Sequence, residues 1–312
     1  MPMSTTALLT EAVRLKRIPF PHVRKVLELS APFGCKIFPF GNNMTRTLVA
    51  LVTLSFLGIS TVPAQQSTDP TAARLESVAH GARLTPSDVK TLLSEAESGH
   101  AEAQYRLALV YEEGRLVSKD SVRSASWLMK SAEQGYAPAQ RAMGMMYVHR
   151  ESSKAEMWLR RAAEQGDSEA QFWLGAAYEQ GWFGATDLQC ALEWLRESAA
   201  QGHPDAQVAL GHMYADGEGV AQDWGIAAEW YRKAAEHVPD LGGAGQGRNE
   251  LGLLYLEGYG VPKDLVRAHM WFSLARNEKN LETAQSRMTP AQIRRAQHMA
   301  REWEEQHPTT AP

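Results

Sequence analysis

The chain has 312 residues, 44% of them apolar and 22% charged, which allows a packed core and excludes a wholly disordered or collagen-like polymer. Its formal charge of −4 is unevenly spread: residues 1–64 hold seven Lys/Arg against two Asp/Glu, leaving residues 65–312 at a net −9. An acidic body offers no electrostatic footprint for a phosphate backbone, so nucleic acid is not expected as a partner.

Residues 1–43 precede Met44 and read as a leader or an over-extended start, with no fold of their own. Arg46, the apolar run 48–59 and the small residues of Val62-Pro63-Ala64 then form the three-part layout of a signal peptide over 44–64. The run falls short of the roughly 20 residues that a spanning helix needs. No stable membrane span is therefore expected after cleavage, and the expected location is the periplasm or the exterior. Cys35 lies upstream of the cleavage point, so the mature chain keeps Cys190 alone, expected as a small packing residue on a helix of a domain held by packing rather than disulfides.

Residues 65–85 read as a linker and cap. Thr85-Pro86-Ser87-Asp88 then opens a helix through Leu92, Leu93 and Ala96 to Gly99. Beyond it the sequence repeats. Tyrosines stand at 111, 147, 178, 214 and 255, spaced 36, 31, 36 and 41. Tryptophans stand at 127, 158, 194, 230 and 271, 16 residues after their Tyr in four repeats and 11 in the second. The step from Trp to the next Tyr is 20 three times and then 25. The irregularities thus localise to loops: a deletion inside repeat two and an insertion before repeat five.

Each unit predicts two helices. Helix A runs from a small residue and Gln (Gln104, Gln140, Gln171, Gln207; Arg248 in the fifth) to the Tyr. Three before the Tyr stands Ala108, then Gly144, Gly175, Gly211 and Gly252. A mid-helix glycine costs up to ~1 kcal/mol against alanine, so this column predicts close approach of a neighbouring helix. Gly114, Gly181, Gly217 and Gly258 follow their Tyr by three and are natural stops. Helix B opens at Asp120, Asp187, Asp223 and Asp264, whose carboxylates suit an N-cap; repeat two has Glu151 instead. It ends in AEQG at 132–135 and 163–166 and AAQG at 199–202. The in-phase Trp are expected in the core. Trp173, Trp182 and Trp224 stand off phase, so repetition does not account for them.

The strings AEAQYRLALVYEEG, AQFWLGAAYEQG, AQVALGHMYADGEGVAQDWGIAAEWYRKAAE and LGLLYLEGYGVPKDLVRAHMWFSLA resemble Sel-one-like repeats, relatives of the tetratricopeptide repeat. The resemblance covers residues 86–277 and implies an all-α fold: a right-handed alpha-alpha superhelix of about five two-helix repeats with capping helices at both ends. The C-terminal cap spans 278–307, where Thr289-Pro290-Ala291-Gln292 is a capping box followed by Ile293, Ala296, Ala300 and Trp303 on one face. Residues 308–312 read as a disordered tail.

Catalytic chemistry is not found, and the expectation is that the protein is not an enzyme. The histidines are scattered, none at the i, i+4 spacing of a helical zinc site, so neither metal nor cofactor is expected. Leu241-Gly242-Gly243-Ala244-Gly245-Gln246-Gly247 lacks the Lys-Ser/Thr of a phosphate-binding loop and reads as a flexible loop. Ser87-Asp88-Val89-Lys90 has the form S-x-x-K, which keeps one alternative open: a secreted hydrolase of the penicillin-binding or β-lactamase-like type, or another cell-wall-acting enzyme. Its companion S-D-N and K-T-G strings are absent.

The resemblance implies instead a scaffold that binds a partner protein or peptide, with the A helices lining a concave wall. On helix A the positions five before, two before and two after the Tyr share one face. They give Arg106, Leu109 and Glu113; Met145 and His149; Trp173 and Gln180; His212 and Asp216; Leu253 and Glu257. These are the candidate binding residues, with Ala142, Ala176, Ala209 and Glu250 filling the pattern.

Overall fold

The computed structural model describes residues 85–237 and 242–308, and every described element of regular structure is an α-helix. In chain order these are α1 (Pro86–Glu97), α2 (Ala101–Glu113), α3 (Ser121–Glu133), α4 (Ala137–Tyr147) and α5 (Ser152–Glu164). There follow α6 (Ser168–Gln180), α7 (Leu188–Ala200), α8 (Pro204–Asp216) and α9 (Trp224–Ala235). The series closes with α10 (Gly243–Glu257), α11 (Leu265–Leu274), α12 (Glu278–Gln285) and α13 (Pro290–Gln306). From α1 to α12 each helix packs on its chain neighbours, and α13 folds back onto α11. The even-numbered helices α2–α10 are the predicted A helices and α3–α11 the B helices. The expected leader, signal peptide, nearly all of the 65–85 linker and most of the tail lie outside the described residues.

Each pair is built from the same local parts. The carboxylates of Asp120, Asp187, Asp223 and Asp264 accept backbone N–H groups of the B helix that each begins, satisfying donors that have no partner inside the helix. The backbone N–H of each also donates to the carbonyl of the preceding in-phase Tyr, at 2.8–3.0 Å. In the shortened repeat two, Glu151 makes the backbone bond to Tyr147 but no side-chain cap. A glutamate places its carboxylate one methylene too far out. The A helices of repeats one, three, four and five stop on left-handed glycines, Gly114, Gly181, Gly217 and Gly258, with φ of +69 to +85°.

The mid-helix glycine column is explained by packing. A Cβ at Gly144, Gly175 or Gly252 lies 2.6, 2.7 or 2.6 Å from the side chain of Leu159, Leu195 or Phe272 respectively. Gly211 meets the ring of Tyr231 in the same way. In each case the residue just after the in-phase Trp fills the space that the glycine leaves, so the two helices of a pair approach closely. Trp158, Trp194 and Trp271 are buried, and Trp127 and Trp230 are half-buried.

The repeated Gln joins one pair to the next. Gln104, Gln140, Gln171 and Gln207 are 4–5% exposed, and each donates its amide to the last-turn carbonyl of the preceding helix, at Ala96, Ala132, Ala163 and Ala199. Each side-chain carbonyl in turn is met by a residue at the end of its own B helix: Gln134, Gln165, Gln201 and, in repeat four, His237. A buried amide so paired at both ends costs little, whereas an unpaired one costs ~1–3 kcal/mol.

One sequence expectation changes. The glycine-rich segment before repeat five is not a flexible loop: α10 begins at Gly243, and Gly243, Ala244 and Gly247 are buried. A Cβ at Gly243 meets the backbone of Pro204 and Asp205 at 2.7 Å, and one at Gly247 meets Ala234 at 2.7 Å. The glycines there serve helix contact rather than chain freedom; Leu241 lies outside the described residues. Cys190 is 4% exposed on α7, as expected of a packing residue.

At the ends, Thr85 and Thr289 both form capping boxes, with Asp88 and Gln292. Ser87 and Asp88 are first-turn residues of α1, the Ser87 hydroxyl standing 2.8 Å from that of Thr85. Ala296 and Ala300 of α13 are buried, and Trp303 meets Trp271 edge-on at 6.1 Å between ring centroids.

Candidate functional site

None of the candidate residues is buried, because the opposite side of each A helix carries the structural column of Gln, Leu, Gly and Tyr. Leu109 is 44% exposed, and Glu113, His149, Gln180, Asp216 and Glu257 are exposed. Arg106, Met145, Trp173, His212 and Leu253 are half-buried. His149 departs from the predicted helical face: α4 ends at Tyr147 and places it in the shortened turn.

Several candidates are held by local partners. Arg106 pairs with Glu102 one turn back, at 2.5 Å, and Glu257 with Arg287 of the C-terminal cap, at 3.0 Å. Glu113 stands 3.8 Å from Arg115. Leu253 packs against the core of repeats four and five. Repeat one therefore presents an internally paired surface, and repeat five holds its two candidates against the core and the cap.

The surface where α6, α8 and α10 meet differs. The A helix α8 packs on α10 and, more lightly, on α6. On α6 the indole of Trp173 stacks with that of Trp182, just past the helix end, with centroids 6.4 Å apart and planes at 29°. Gln180 hydrogen-bonds Glu179. Burial pushes the Glu179 carboxyl above its ordinary range; the Gln180 bond opposes that, Glu218 adds to it, and His212 opposes it weakly. On α8 the His212 ring bridges two helices: Nδ1 lies 2.9 Å from the Tyr231 hydroxyl of α9 and Nε2 lies 3.1 Å from the Gln246 amide of α10. Burial, then Glu250 and Asp216, push the Tyr231 phenol upward, so it stays protonated. Glu179, His212, Asp216, Glu218, Gln246 and Glu250 thus belong to one neighbourhood across three repeats, with Trp182 three residues beyond Glu179.

Glu179, Glu218, Gln246 and Tyr231 were not among the sequence candidates. Tyr231 had a legible signal, since it occupies the column that holds Leu128, Leu159 and Leu195, and a hydroxyl there needs a partner. Trp182 had one too, being off phase. Glu179 and Glu218 had none, because their proximity depends on how α6 and α8 sit together. The third off-phase indole, Trp224, stacks on Tyr259 at 5.0 Å, away from this group on the loop edge after α10. Among the described residues no group of three or more His, Cys, Asp or Glu is arranged to hold a metal ion, and no helix is long and apolar enough to cross a membrane.

Paired helices stacked in register, each pair joined to the next by a buried Gln amide or, before repeat five, by the Arg248 guanidinium, define an α-solenoid. Sel1 repeats match at residues 101–136, 137–167, 168–203, 204–237 and 246–280, and the chain belongs to the Sel1 repeat family. A protective antigen of uropathogenic Escherichia coli displaying an SLR fold is 31% identical with a TM-score of 0.64, over 70% of this chain and 49% of that one. The chain thus spans about half the length of that antigen. A Sel1 repeat protein from Oxalobacter formigenes is 25% identical with a TM-score of 0.59, over 74% of this chain and 98% of that one. No curated protein matches the chain.

Proposed function

We propose that this protein is an exported, non-catalytic scaffold that holds a segment of a partner protein against the wall formed by its A helices. The periplasm or the exterior is the compartment that the 44–64 segment implies, and regulation of an envelope process is the role. The observation that carries the reading is the contrast on each A helix. One side repeats a fixed structural column, while the other changes from repeat to repeat yet stays accessible. Direct packing of α8 on α10 and α6 supports placing these helices on the inner side of the stack. Membership of a family of interaction solenoids supports it further.

The test is site-specific crosslinking in the native envelope. A photo-reactive amino acid at position 180 or 216 is expected to trap a discrete partner, and one at position 130 or 233, on the B helices, is not. Trp173→Ala combined with His212→Ala is expected to abolish the adduct. Equal adducts from both faces, or an adduct that survives the double substitution, overturns the assignment.

A further inference from the structure

Across the described residues, cations sit over aromatic rings at eight places. Lys130, Arg161 and Lys233 cover the indoles of Trp127, Trp158 and Trp230, while Arg123, Lys154, Arg160 and Arg267 approach the rings of Tyr111, Tyr147, Tyr178 and Tyr255. Arg248 lies over Trp303. Each of these rings carries its own cation. The stacked pair Trp173–Trp182 is an exception. Two half-buried indoles lie nearly parallel, and among the described residues no Lys or Arg covers either.

The charges around that pair show the same lack. Elsewhere on the A helices carboxylates have cationic partners: Glu102 with Arg106, Glu169 with Arg141, Glu257 with Arg287. Glu179, Asp216, Glu218 and Glu250 form no ion pair among the described residues. Burial and the nearby Glu218 raise the cost of ionising Glu179, which the Gln180 hydrogen bond and, less strongly, His212 offset. Two small residues, Ala176 on α6 and Ala209 on α8, stand in the same helical stripes as Trp173 and His212. An aromatic wall without its cation beside unneutralised carboxylates is complementary to one kind of group: a planar, delocalised cation able to stack and to donate hydrogen bonds together.

Resting on the scaffold reading above, we propose that repeats three to five select a basic segment of the partner, with an arginine side chain laid across Trp173 and Trp182. Its guanidinium donates to Glu179, and further basic residues of the segment meet Asp216, Glu218 and Glu250. Arginine is favoured over lysine because a planar guanidinium stacks on indole while offering a fork of donors, whereas an ammonium is a compact, strongly hydrated point charge.

The experiment uses the full chain and three fluorescein-labelled eight-residue probes, alternating alanine with arginine, lysine or glutamate, read by anisotropy at low and physiological salt. The arginine probe is expected to bind about tenfold more tightly than the lysine probe, and the glutamate probe not to bind. Trp173→Ala and Glu179→Gln are each expected to weaken the arginine probe about tenfold, and the exposed Glu218→Gln about threefold. Lys130→Ala on α3 is expected to change nothing. Circular dichroism checks that each variant keeps its helices, and Glu218→Gln, at a loop surface, serves if Trp173→Ala does not fold. Equal binding of arginine and glutamate probes, or arginine binding indifferent to Glu179→Gln and Glu218→Gln, overturns the proposal. A partner trapped from position 180 alongside an inert arginine probe sinks only the cationic chemistry. Probe binding with adducts arising equally from positions 130 and 180 sinks the scaffold assignment instead.

Discussion

Repeats three and five close the same junction with different chemistry. In repeat three the buried Gln171 donates to the Ala163 carbonyl at 3.1 Å and accepts from Gln201 at 2.7 Å, a neutral rung with both ends paired. In repeat five Arg248 stands in that place. Its Nε donates to the Ala235 carbonyl at 3.0 Å and its Nη2 to the His237 carbonyl at 2.9 Å, with Trp303 of the cap across its face at 4.9 Å. The longer side chain answers the insertion before α10, because a second carbonyl at the end of α9 needs a donor that glutamine cannot reach. The next turn diverges as well. Where Gly135, Gly166 and Gly202 take φ of +89 to +93°, repeat five has Arg276 at +53°, the one non-glycine residue with positive φ among those described. The slot is conserved by geometry rather than by residue type, and the last repeat is shaped to receive a cap.

Breaking the cap is expected to have the largest effect. Trp303→Ala removes the contacts with Trp271 and Arg248 and is expected to destabilise the protein by about 3 kcal/mol. In a stack whose units touch only their neighbours the loss is local. Hydrogen exchange should therefore rise first in α10–α13 and last in α4–α7. A uniform rise across all helices contradicts this.

The junction itself is compared by truncating each donor to leucine. Arg248→Leu leaves two carbonyls without their donor and is expected to lose about 2–3 kcal/mol, against about 1–2 kcal/mol for Gln171→Leu, since charged donors make the stronger bonds. Chemical denaturation of both variants, with unchanged denaturant slopes, measures the difference. Equal losses show that the second carbonyl contributes nothing.

Restoring the glycine of the earlier repeats sharpens the comparison from the other side. Arg276→Gly relieves a left-handed conformation that L side chains adopt at a cost, and is expected to raise stability by up to ~1 kcal/mol. A lowered melting temperature refutes it.

The smallest effect is a pH slope. Burial lowers the pKa of His203, which stacks on Phe172 at 5.0 Å between ring centroids, although Asp205 and Glu169 pull the other way. The neutral ring is favoured in the folded state, so this stability is complete above the ordinary value of 6.5 and is lost as pH falls through it towards the lowered folded value. His269, 1% exposed on α11, contributes with the same sign and the same leading cause. Melting temperatures between pH 7.5 and 5 are expected to fall less steeply in His203→Asn, which keeps an acceptor at the start of α8 but does not titrate. An unchanged slope rules out the histidine as its source.

Much of this organisation is written in local sequence. The N-cap aspartates, stop glycines, capping boxes of Thr85 and Thr289, and the glycine column opposite a large residue each answer a requirement of one or two turns, so spacing alone reveals them. The column that leaves Trp173, His212 and Asp216 accessible was legible for the same reason, since a helix face follows from periodicity. What needed the assembled stack was whatever depends on the relative placement of separate helices. Gly243–Gly247 looks like a loop in sequence because glycine disfavours helix, and it is helical because Pro204, Asp205 and Ala234 leave no room for a Cβ. The neighbourhood of Glu179, Glu218 and the His212–Tyr231–Gln246 bridge arises only when α6, α8 and α10 meet. Repetition in the chain thus determines which residues make the frame; the distance between successive A helices, set by packing across repeats, decides which of the remaining side chains act together.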